Sequence, residues 1–528
     1  MPPSPTLRRG HRFGFLIVVA LLAAGAIITV RLQPEMDGNI KGLITALTVL
    51  VSLLLTLIWF LFLSRYVAWV RLAGLVVIVG LVLGLKASTR VDGAVDGSGT
   101  PNIVWKWTPK REITNAPLPK TVHASLTPHL DIPEVPQFFG PERDGVVRGA
   151  HLNHDWAANP PKLLWRQPAG LGWAAFSVAG GRAFTLEQRG DDEMVTCYDV
   201  TSGALIWSHP HAKVRFVEWQ GGDGPRATPT ISKGRVYALG ATGILDCLNA
   251  SDGSQVWSLN VLTEHQLANL TWAKSTSPLV FDDKVVVTGG RKVDASGNDI
   301  PGSCVFAYNR DTGAPLWKAG NDTSSYASPV LVTLAGKRVI LSSNANNLTI
   351  HDPATGNVLL AYPWGVPKWP RAAQPTLVPG DRVFLTAGYG MGCVMLQIKA
   401  GADGLLTASQ LWSSHKMKAQ FNSVHVLNGH LYGLDDGALA CLNIDTGERL
   451  WKDGRFGSGQ TLLVDDAVII QSEKGDVVLA EASPNAYREL SRLPALRSKT
   501  WNHPVLAGRY LLVRNDQEMA CYELAVVK

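Results

Sequence analysis

The side chains of this 528-residue chain that could do chemistry are scattered rather than clustered. Its thirteen histidines and six cysteines show no zinc-ligand spacing, no Cys-x-x-Cys-His haem-attachment motif and no adjacent cysteine pair. The sequence also lacks a nucleophile elbow and a phosphate-binding glycine loop. The acidic pairs Asp282-Asp283 and Asp465-Asp466 fall in predicted hairpin turns, where a solvated turn is the expected role. Any chemistry must therefore be assembled by the fold from residues that are distant in sequence.

The elements that would position such residues are set by a recurring eleven-residue frame. Its fullest copy is Cys441–Trp451, in which strand-like residues flank the turn sequence Asn-Ile-Asp-Thr-Gly. Asn, Asp and Thr bond their own backbone in tight turns, and Gly accepts a positive φ without steric cost. Further copies lie at residues 197–207, 247–257, 307–317 and 350–360, the last with Leu360 in place of the tryptophan. The frame predicts strand, turn, strand at each copy.

Around these copies we count eight units between Lys162 and Leu524, about 45 residues each. A period of this length with four short strands per unit predicts an all-β, eight-bladed β-propeller, whereas a β-sandwich has no reason for a fixed internal period. The chain enters on a strand that ends at Trp165 and leaves on the strand that normally precedes such a strand, Ala520–Leu524. The first strand is therefore expected to complete the last blade and remove the open sheet edge.

The six cysteines occupy equivalent positions in different repeats. Cys197, Cys247, Cys441 and Cys521 stand first in the motif, and Cys304 and Cys393 share another position. Equivalent positions in different blades point into different packing sites, whereas a disulfide needs Cα atoms within about 7 Å. We therefore expect buried free thiols that replace alanine, and neither disulfides nor a metal site.

Three apolar runs precede the repeats, at about residues 13–30, 43–63 and 66–85. Each is close to the roughly 20 residues that a helix needs to cross a bilayer, so we predict three transmembrane helices. For the first run, a cleaved signal peptide with Ala24-Gly25-Ala26 as a weak cleavage site remains an alternative. Both readings place the repeats outside the cytoplasm, because Arg8, Arg9, Arg12, Arg65 and Arg71 favour the cytoplasmic side.

These features predict a membrane anchor at 1–86, a linker of low regularity at 87–135 with a short strand near residues 103–107, and the propeller at 136–528. The net charge of +6 is mild and spread along the chain, which does not favour a nucleic-acid partner. The expected location is the inner (cytoplasmic) membrane, with the propeller on the periplasmic side.

The eleven-residue frame resembles the tryptophan-docking motif of PQQ-like (quinoprotein-like) propellers. That family includes quinoprotein alcohol and glucose dehydrogenases and the outer-membrane assembly scaffold BamB, and the resemblance covers Lys162 to Leu524. Residues 136–145 (Pro-Gln-Phe-Phe-Gly-Pro-Glu-Arg-Asp-Gly) resemble the opening "FRGPxxDG" of bacterial PQQ-like repeat proteins. One fold hosts both catalysts and scaffolds, so the resemblance specifies the fold more sharply than the function.

The resemblance implies a requirement for catalysis: a bound quinone (PQQ), usually calcium, an acidic base and a cation near the quinone oxygens. The sequence has no Asp/Asn-rich calcium loop and no cysteine pair to stack on the quinone. Membrane-anchored glucose dehydrogenases of the family also lack that pair. PQQ with calcium therefore stays a candidate cofactor without identifiable ligands.

In family propellers the residues just before each innermost strand line one mouth of the central channel. That rule selects Trp173, Arg226, Lys274, Tyr326, Arg371, Gln420, Asn422, Gln460, Trp501, Asn502 and His503. Aromatic faces with cations and amides could hold a planar anion, a peptide or a glycan, or they could cap a water-filled channel. Cations crowded in a channel are costly unless an anion joins them, which favours a binding role for Arg226 and Arg371. His503 could be a general base or a hydrogen-bonding neighbour.

Two functions follow from the sequence. The first is a membrane-anchored binding or interaction platform at the cell envelope, with an envelope protein or a small ligand as partner. The second is a membrane-bound PQQ-dependent dehydrogenase that oxidises an alcohol or a sugar.

Overall fold

The structure, a computed structural model, describes residues 13–33, 36–64, 66–108, 132–364 and 369–527. Its contacts divide the chain into two units, Met1–Arg111 and Glu112–Lys528.

The first unit contains three long apolar helices. Helix α1 spans Gly14–Leu32; α2 spans Gly38–Ile58 and continues as a π-helical turn, Trp59–Leu63; α3 spans Ala68–Ser88. All three are long and apolar enough to cross a membrane. The three predicted helices are therefore confirmed, each with slightly different bounds.

Arg71, the charged residue that interrupts the third apolar run, has a structural role in α3. Its Nε donates to the Tyr66 carbonyl at 2.8 Å, and its Nη1 donates to the Leu61 carbonyl at 3.0 Å. Carbonyls at a helix end have no partner within the helix. Arg71 therefore caps the end of α2 from the start of α3.

A β-hairpin follows α3 where the sequence predicted a linker. Strands Thr89–Ala94 and Pro101–Trp105 pair antiparallel, and the second overlaps the short strand expected near residue 103. The remainder of the predicted linker up to residue 131 lies outside the described residues from Pro109 onward.

The second unit is an eight-bladed propeller, as predicted. Each blade is an antiparallel sheet of four strands, and blade 7 gains a fifth, Val146–Val147. With the innermost strand first, blades 1 to 4 comprise Ser177–Ala179, Arg182–Arg189, Asp192–Asp199 and Leu205–Ala212; Thr230–Ser232, Arg235–Leu239, Ile244–Asn249 and Gln255–Asn260; Leu279–Phe281, Lys284–Thr288, Val305–Asn309 and Pro315–Ala319; and Val330–Leu334, Lys337–Ser343, Asn347–His351 and Val358–Pro363.

Blades 5 to 8 comprise Thr376–Val378, Arg382–Ala387, Gly392–Ala400 and Leu406–Ser414; His425–Leu427, His430–Asp435, Ala438–Asn443 and Arg449–Asp453; Gln460–Val464, Ala467–Gln471, Asp476–Glu481 and Glu489–Pro494; and Val505–Ala507, Tyr510–Arg514, Glu518–Glu523 and Lys162–Pro168. Minor elements are helix α4 (Val261–Glu264), a 3-10 turn at Ala402–Gly404, and a small hairpin of Lys292–Val293 with Asp299–Ile300.

The ring closes through the first propeller strand. Lys162–Pro168 pairs with Glu518–Glu523, placing Trp165 opposite Cys521 in blade 8. This closure confirms the expectation drawn from the phase of the repeat, and it removes the sheet edges of an open array.

The tryptophan of the repeat joins one blade to the next at six of the eight junctions. Trp207 of blade 1 donates from Nε1 to the Ala250 carbonyl of blade 2 at 3.1 Å, and its ring lies over Gly253. Trp165, Trp257 and Trp412 make the same contact at their own junctions. Leu360 stands opposite Ile350 at the corresponding place in blade 4. The sequence repeat thus encodes a contact between blades as well as a turn.

All six cysteines are buried and free, as expected. Cys197 pairs across strands with Trp207, and Cys441 with Trp451, so the first and eleventh residues of the frame are cross-strand neighbours. A small side chain at the first position leaves room for the indole ring.

Candidate binding site at the channel mouth

One face of the propeller carries both the connections between successive blades and the turns between the second and third strands of each blade. This follows from the antiparallel order within each sheet. The predicted site residues precede the innermost strands, so they belong to this face. We refer to it as the channel mouth.

Aromatic side chains gather where blades 8 and 1 meet. The ring centroids of Trp173 and Trp501 are 4.8 Å apart, and Phe421 lies edge-on to Trp501 at 5.5 Å. The Lys499 ammonium lies 4.2 Å from the Trp501 ring centroid, within the range of a cation–π contact. Trp501 Nε1 donates to Glu473 Oε1 at 2.7 Å, which fixes the indole plane.

Three buried amides lie beside this cluster. Gln460 Nε2 donates to the carbonyls of Phe421 and Trp501, at 3.2 and 3.0 Å, and Asn502 Nδ2 donates to the Ala174 carbonyl at 2.8 Å. The side-chain oxygens of Gln460, Asn502 and Asn422 have no hydrogen-bond partner among the described protein atoms. Buried acceptors of this kind favour a donor from water or a ligand.

Arg226 is held by main-chain carbonyls. Its Nη1 donates to Gly224 at 2.8 Å, and its Nη2 donates to Gly221 and Gly222 at 3.0 and 2.6 Å. Burial lowers the pKa of Arg226 from 12.5 to about 10. Tyr326, whose pKa burial raises to about 12, accepts a hydrogen bond from the Trp272 backbone N–H at 3.3 Å.

Lys274 and Arg371 are fully buried cations. The Lys274 ammonium donates to the Gly289 carbonyl and to Thr288 Oγ1, and burial lowers its pKa from 10.5 to about 7. Arg371 Nη1 donates to the Trp369 carbonyl at 2.6 Å, and burial lowers the pKa of Arg371 to about 10. Burial therefore disfavours the charged form of both side chains.

Gln420 belongs to a second aromatic group. Its Nε2 donates to the Tyr389 hydroxyl at 2.9 Å, and the Tyr389 ring stacks on Trp369 with centroids 5.0 Å apart. Trp369 is 47% exposed.

His503 packs differently from the other predicted residues. Its ring lies edge-on to Phe138 and Phe139, at 4.9 and 4.5 Å between centroids. Burial, followed by the charge of His425, lowers the pKa of His503 to about 3, so the ring stays neutral. His503 Nδ1 has no hydrogen-bond partner among the described atoms.

Phe138 and Phe139 belong to residues 132–149, which we call the crossing segment because it links the inner strands of blades 1 and 7, which are not neighbours in the ring. Val135 bridges to Val178 of blade 1, and Val146–Val147 pairs with Leu463–Val464 of blade 7. The segment contains the "FRGPxxDG"-like residues. Its glycine, Gly145, has a φ of 68° and leaves room for His425.

Arg143 anchors the middle of the crossing segment. Its guanidinium donates to the carbonyls of Pro278 and Ser277 of blade 3, at 2.8 and 3.0 Å. Burial lowers the pKa of Arg143 to about 9. Beside it, a cavity of about 730 Å³ is lined by the inner strands of blades 4 and 5, with Arg143 and Phe139 on its other side.

The structure thus brings most of the predicted residues into two groups. The first consists of Trp173, Trp501, Gln460, Asn422 and Asn502. The second consists of Arg226, Tyr326 and Arg371, and in it the Tyr326 backbone N–H donates to the Arg371 carbonyl at 2.9 Å. Sequence reasoning missed other mouth residues, namely Trp272, Trp369, Tyr389, Phe421, Glu473 and Lys499. The sequence contained a signal for these residues, because all of them lie in connections or turns that the repeat frame places on this face.

A PQQ-type quinone would need a slot for a flat ring, together with free cations. A ring held between two others needs about 7 Å between the outer ring centroids, since aromatic atoms pack at about 3.5 Å. Trp173 and Trp501 are 4.8 Å apart and pack directly on each other. Arg226 already donates to three carbonyls. These residues, as arranged, do not fit the quinone.

Calcium has no evident site in the described part of the chain, which contains no group of three or more His, Cys, Asp or Glu side chains able to hold a metal. The acidic pairs noted in the sequence have protein partners: Asp282 pairs with Arg338 at 2.6 Å, and Asp465 accepts from the Gly149 and His151 backbone N–H groups at 2.6 and 2.9 Å.

Comparison with known proteins adds three observations. The protein is similar to outer membrane protein assembly factor BamB of Shewanella oneidensis, with 23% identity over 383 residues, covering 60% of this chain and 88% of that protein. It is also similar to quinohemoprotein alcohol dehydrogenase ADH-IIG of Pseudomonas putida, with 26% identity over 143 residues, but these cover only 18% of the enzyme. The solved structure of BamB from Moraxella catarrhalis matches with a TM-score of 0.51 at 16% identity, covering 70% of this chain and 99% of that one.

The family model described as outer membrane protein assembly factor BamB matches residues 156–295 and 191–453, more than half of the chain. Together with the eight blades of the propeller, this match shows that the chain belongs to the BamB family of PQQ-like β-propellers.

Proposed function

We propose that the protein is a membrane-anchored scaffold of the cell envelope, whose channel mouth binds another envelope protein. The observation that carries this proposal is the aromatic character of the mouth. Trp219, on the connection between blades 1 and 2, is 45% exposed, and Trp369, between blades 4 and 5, is 47% exposed. Exposed tryptophans with arginines nearby are the residues that dominate protein interfaces.

The partner we propose is a protein involved in outer-membrane protein assembly, the role named for the matching family and for the Shewanella relative. The anchor consists of α1, α2 and α3, each of spanning length. The arginines at 8, 9, 12, 65 and 71 favour the cytoplasmic side, so the propeller is placed on the periplasmic side of the inner membrane.

A photo-crosslinking experiment tests the scaffold. The full chain carries benzoylphenylalanine at Trp219, at Trp369 or, as a matched control, at Leu316, an exposed apolar residue on the outermost strand of blade 3. We expect both mouth positions to capture the same outer-membrane assembly protein in intact cells, and Leu316 not to capture it. Equal capture at all three positions, or none at the mouth, would contradict the proposal.

A second candidate function is the PQQ-dependent dehydrogenase, favoured by the short match to the quinohemoprotein enzyme. Titration of the full chain in detergent with PQQ and calcium separates it from the scaffold. The scaffold predicts no saturable binding. One-to-one binding that is lost in the Arg226→Ala, Arg371→Ala double variant would instead establish the dehydrogenase reading and justify a screen of alcohols and sugars.

A further inference from the structure

The hairpin that follows α3 has one apolar face, which is exposed. Thr89 pairs with Trp105 and Val91 with Ile103, and paired residues of an antiparallel ladder project to the same side. Ile103 is 66% exposed, and Trp107, whose ring stacks on Trp105 at 4.9 Å between centroids, is 70% exposed. Four large apolar side chains, Val91, Ile103, Trp105 and Trp107, therefore share one uncovered surface.

The opposite face of the hairpin is mainly polar, with Val104 as an apolar member. Arg90 and Val104 form the alternate pair, and Arg90 lies 3.6 Å from Asp92. Asn102 donates from Nδ2 to the Asp92 carbonyl at 3.2 Å. The hairpin is thus amphipathic across its two faces, which is the pattern of an element that lies between water and an apolar phase.

The hairpin is fixed at the end of α3. The helix ends at Ser88 and the first strand starts at Thr89, with no intervening residue. The Lys106 backbone N–H donates to the Ser88 carbonyl at 2.7 Å, and Arg90 Nη1 donates to the carbonyls of Trp105, Lys106 and Thr108 at 2.9 to 3.1 Å. Trp105 and Trp107 are therefore held beside the last turn of the helix.

The position of the helix end determines the depth of the hairpin. Helix α3 has 21 residues, a length of about 32 Å at 1.5 Å per residue, which matches the roughly 30 Å of a hydrocarbon core. Ser88 then lies at the membrane surface. Tryptophan is enriched at that level because its ring has an apolar body and a polar N–H, while Lys86 and Lys106 can reach lipid phosphates.

From this continuity we propose that the hairpin 89–107 is an interfacial membrane-binding element: its Val91, Ile103, Trp105 and Trp107 face lies in the headgroup region of the leaflet where α3 ends. The proposal rests on the membrane anchoring proposed above. Its occupant is the lipid surface, because the face begins where a spanning helix stops and lies between Lys86 and Lys106 in the chain.

Site-specific fluorescence in lipid nanodiscs tests the hairpin. Ile103→Cys in the full chain, and Asn102→Cys as the neighbouring residue of the opposite face, are labelled with an NBD dye. The six native cysteines are buried and free, so the unsubstituted chain provides the labelling background. Two quenchers are used: iodide in water, and phosphatidylcholine with a nitroxide near the top of its acyl chain.

We expect the dye at residue 103 to be quenched by the nitroxide lipid and to have a several-fold lower iodide quenching constant than the dye at residue 102. Equal iodide quenching at both residues without lipid quenching would overturn the proposal, because the hairpin would then lie in water. Protection from iodide without lipid quenching would also overturn it, since protein, either the propeller or a second copy, would then cover the face.

Two controls separate the hairpin from the anchor. Flotation of vesicles after carbonate extraction reports anchoring alone, so retention without lipid contact at residue 103 would refute the hairpin and leave the anchor intact. Adding Trp105→Ser and Trp107→Ser should reduce lipid quenching at residue 103 while flotation is unchanged. Unchanged lipid quenching would refute the role assigned to the two tryptophans.

Discussion

At the residue scale, the mouth of this propeller is built from cations whose charge is poorly compensated. Lys274 is fully buried, and its ammonium donates to the Gly289 carbonyl and the Thr288 hydroxyl. Desolvation disfavours the charged form of such a group, so its pKa falls to about 7. Arg143 in the crossing segment shows the same effect, with a pKa of about 9.

The depressed pKa of Lys274 predicts a specific pH dependence of stability. Between pH 7 and 10.5 the unfolded state binds the lysine proton and the folded state does not, so the free energy of unfolding rises with pH. Lys274→Met removes this contribution. We expect the variant's stability relative to the native chain to be most favourable at and below pH 7, and to fall by up to about 1.4 kcal/mol per pH unit between pH 7 and 10.5.

Urea unfolding of the full chain in detergent at pH 6.5, 8 and 9.5 measures that difference. Lys474→Met removes an exposed lysine and controls for the loss of one positive charge. A stability difference that does not change with pH for Lys274→Met would contradict the assignment.

At the scale of single elements, the contact between a tryptophan and the turn glycine of the next blade is the repeated unit of cohesion. Gly253 has a φ of 74°, and a Cβ there would lie 2.5 Å from the Trp207 ring. Gly234, in the first turn of the same blade, has a φ of 73° and open space around it. An alanine would therefore be strained in the same way at both positions, but only at Gly253 would its Cβ also meet the docked tryptophan ring.

We therefore expect Gly234→Ala to cost about 1–2 kcal/mol of unfolding free energy from the left-handed backbone alone. Gly253→Ala should cost about 2 kcal/mol more, because Trp207 must leave its place and its bond to Ala250. Thermal unfolding of both variants side by side measures the gap. Equal losses would show that the docked tryptophan contributes little to blade cohesion.

The crossing segment allows a parallel comparison. A Cβ on Gly145 would lie 2.5 Å from His425 Cε1, whereas Gly149, with a similar φ of 72°, has open space. Gly145→Ala is expected to loosen the segment, so that the Leu463 N–H, which donates to the Gly145 carbonyl at 3.0 Å, exchanges its hydrogen faster than in Gly149→Ala. Similar exchange in both variants would contradict a packing role for Gly145.

The features that could be predicted from the sequence are mainly those that depend on contacts between residues close together in the chain. The turn of Asn443–Gly447 and the pairing of Cys441 with Trp451 involve neighbours in sequence, so blade number and free cysteines could be predicted. Closure joins the two ends of the propeller, but it could be predicted because the phase of the repeat leaves one strand over at each end. The crossing segment depends on contacts such as that of Asp144 with His425, 281 residues apart, which no periodicity reveals. The aromatic partners Trp272 and Tyr389 lie in connections of irregular length, where orientation depends on tertiary packing.

At the scale of the whole molecule, the chain combines three span-length helices with a closed ring. Closure through Lys162–Pro168 completes blade 8, so that all eight sheets have their full set of strands and keep only their outermost strands at the rim. The channel mouth presents exposed tryptophans on its connections, so we expect binding at the propeller there.

Three crossings make a definite prediction about which parts face which compartment. With the connection between α2 and α3 on the cytoplasmic side, the end of α3 and the propeller lie outside. We would place single cysteines at Ser296, an exposed residue in the turn of the small hairpin of blade 3, and at Tyr66, which is exposed between α2 and α3. The buried native thiols leave these as the reactive positions.

In spheroplasts, a membrane-impermeant maleimide should label Ser296→Cys at once and Tyr66→Cys only after permeabilisation. The reverse order would invert the topology and would move the channel mouth to the cytoplasm, where an outer-membrane assembly partner could not reach it.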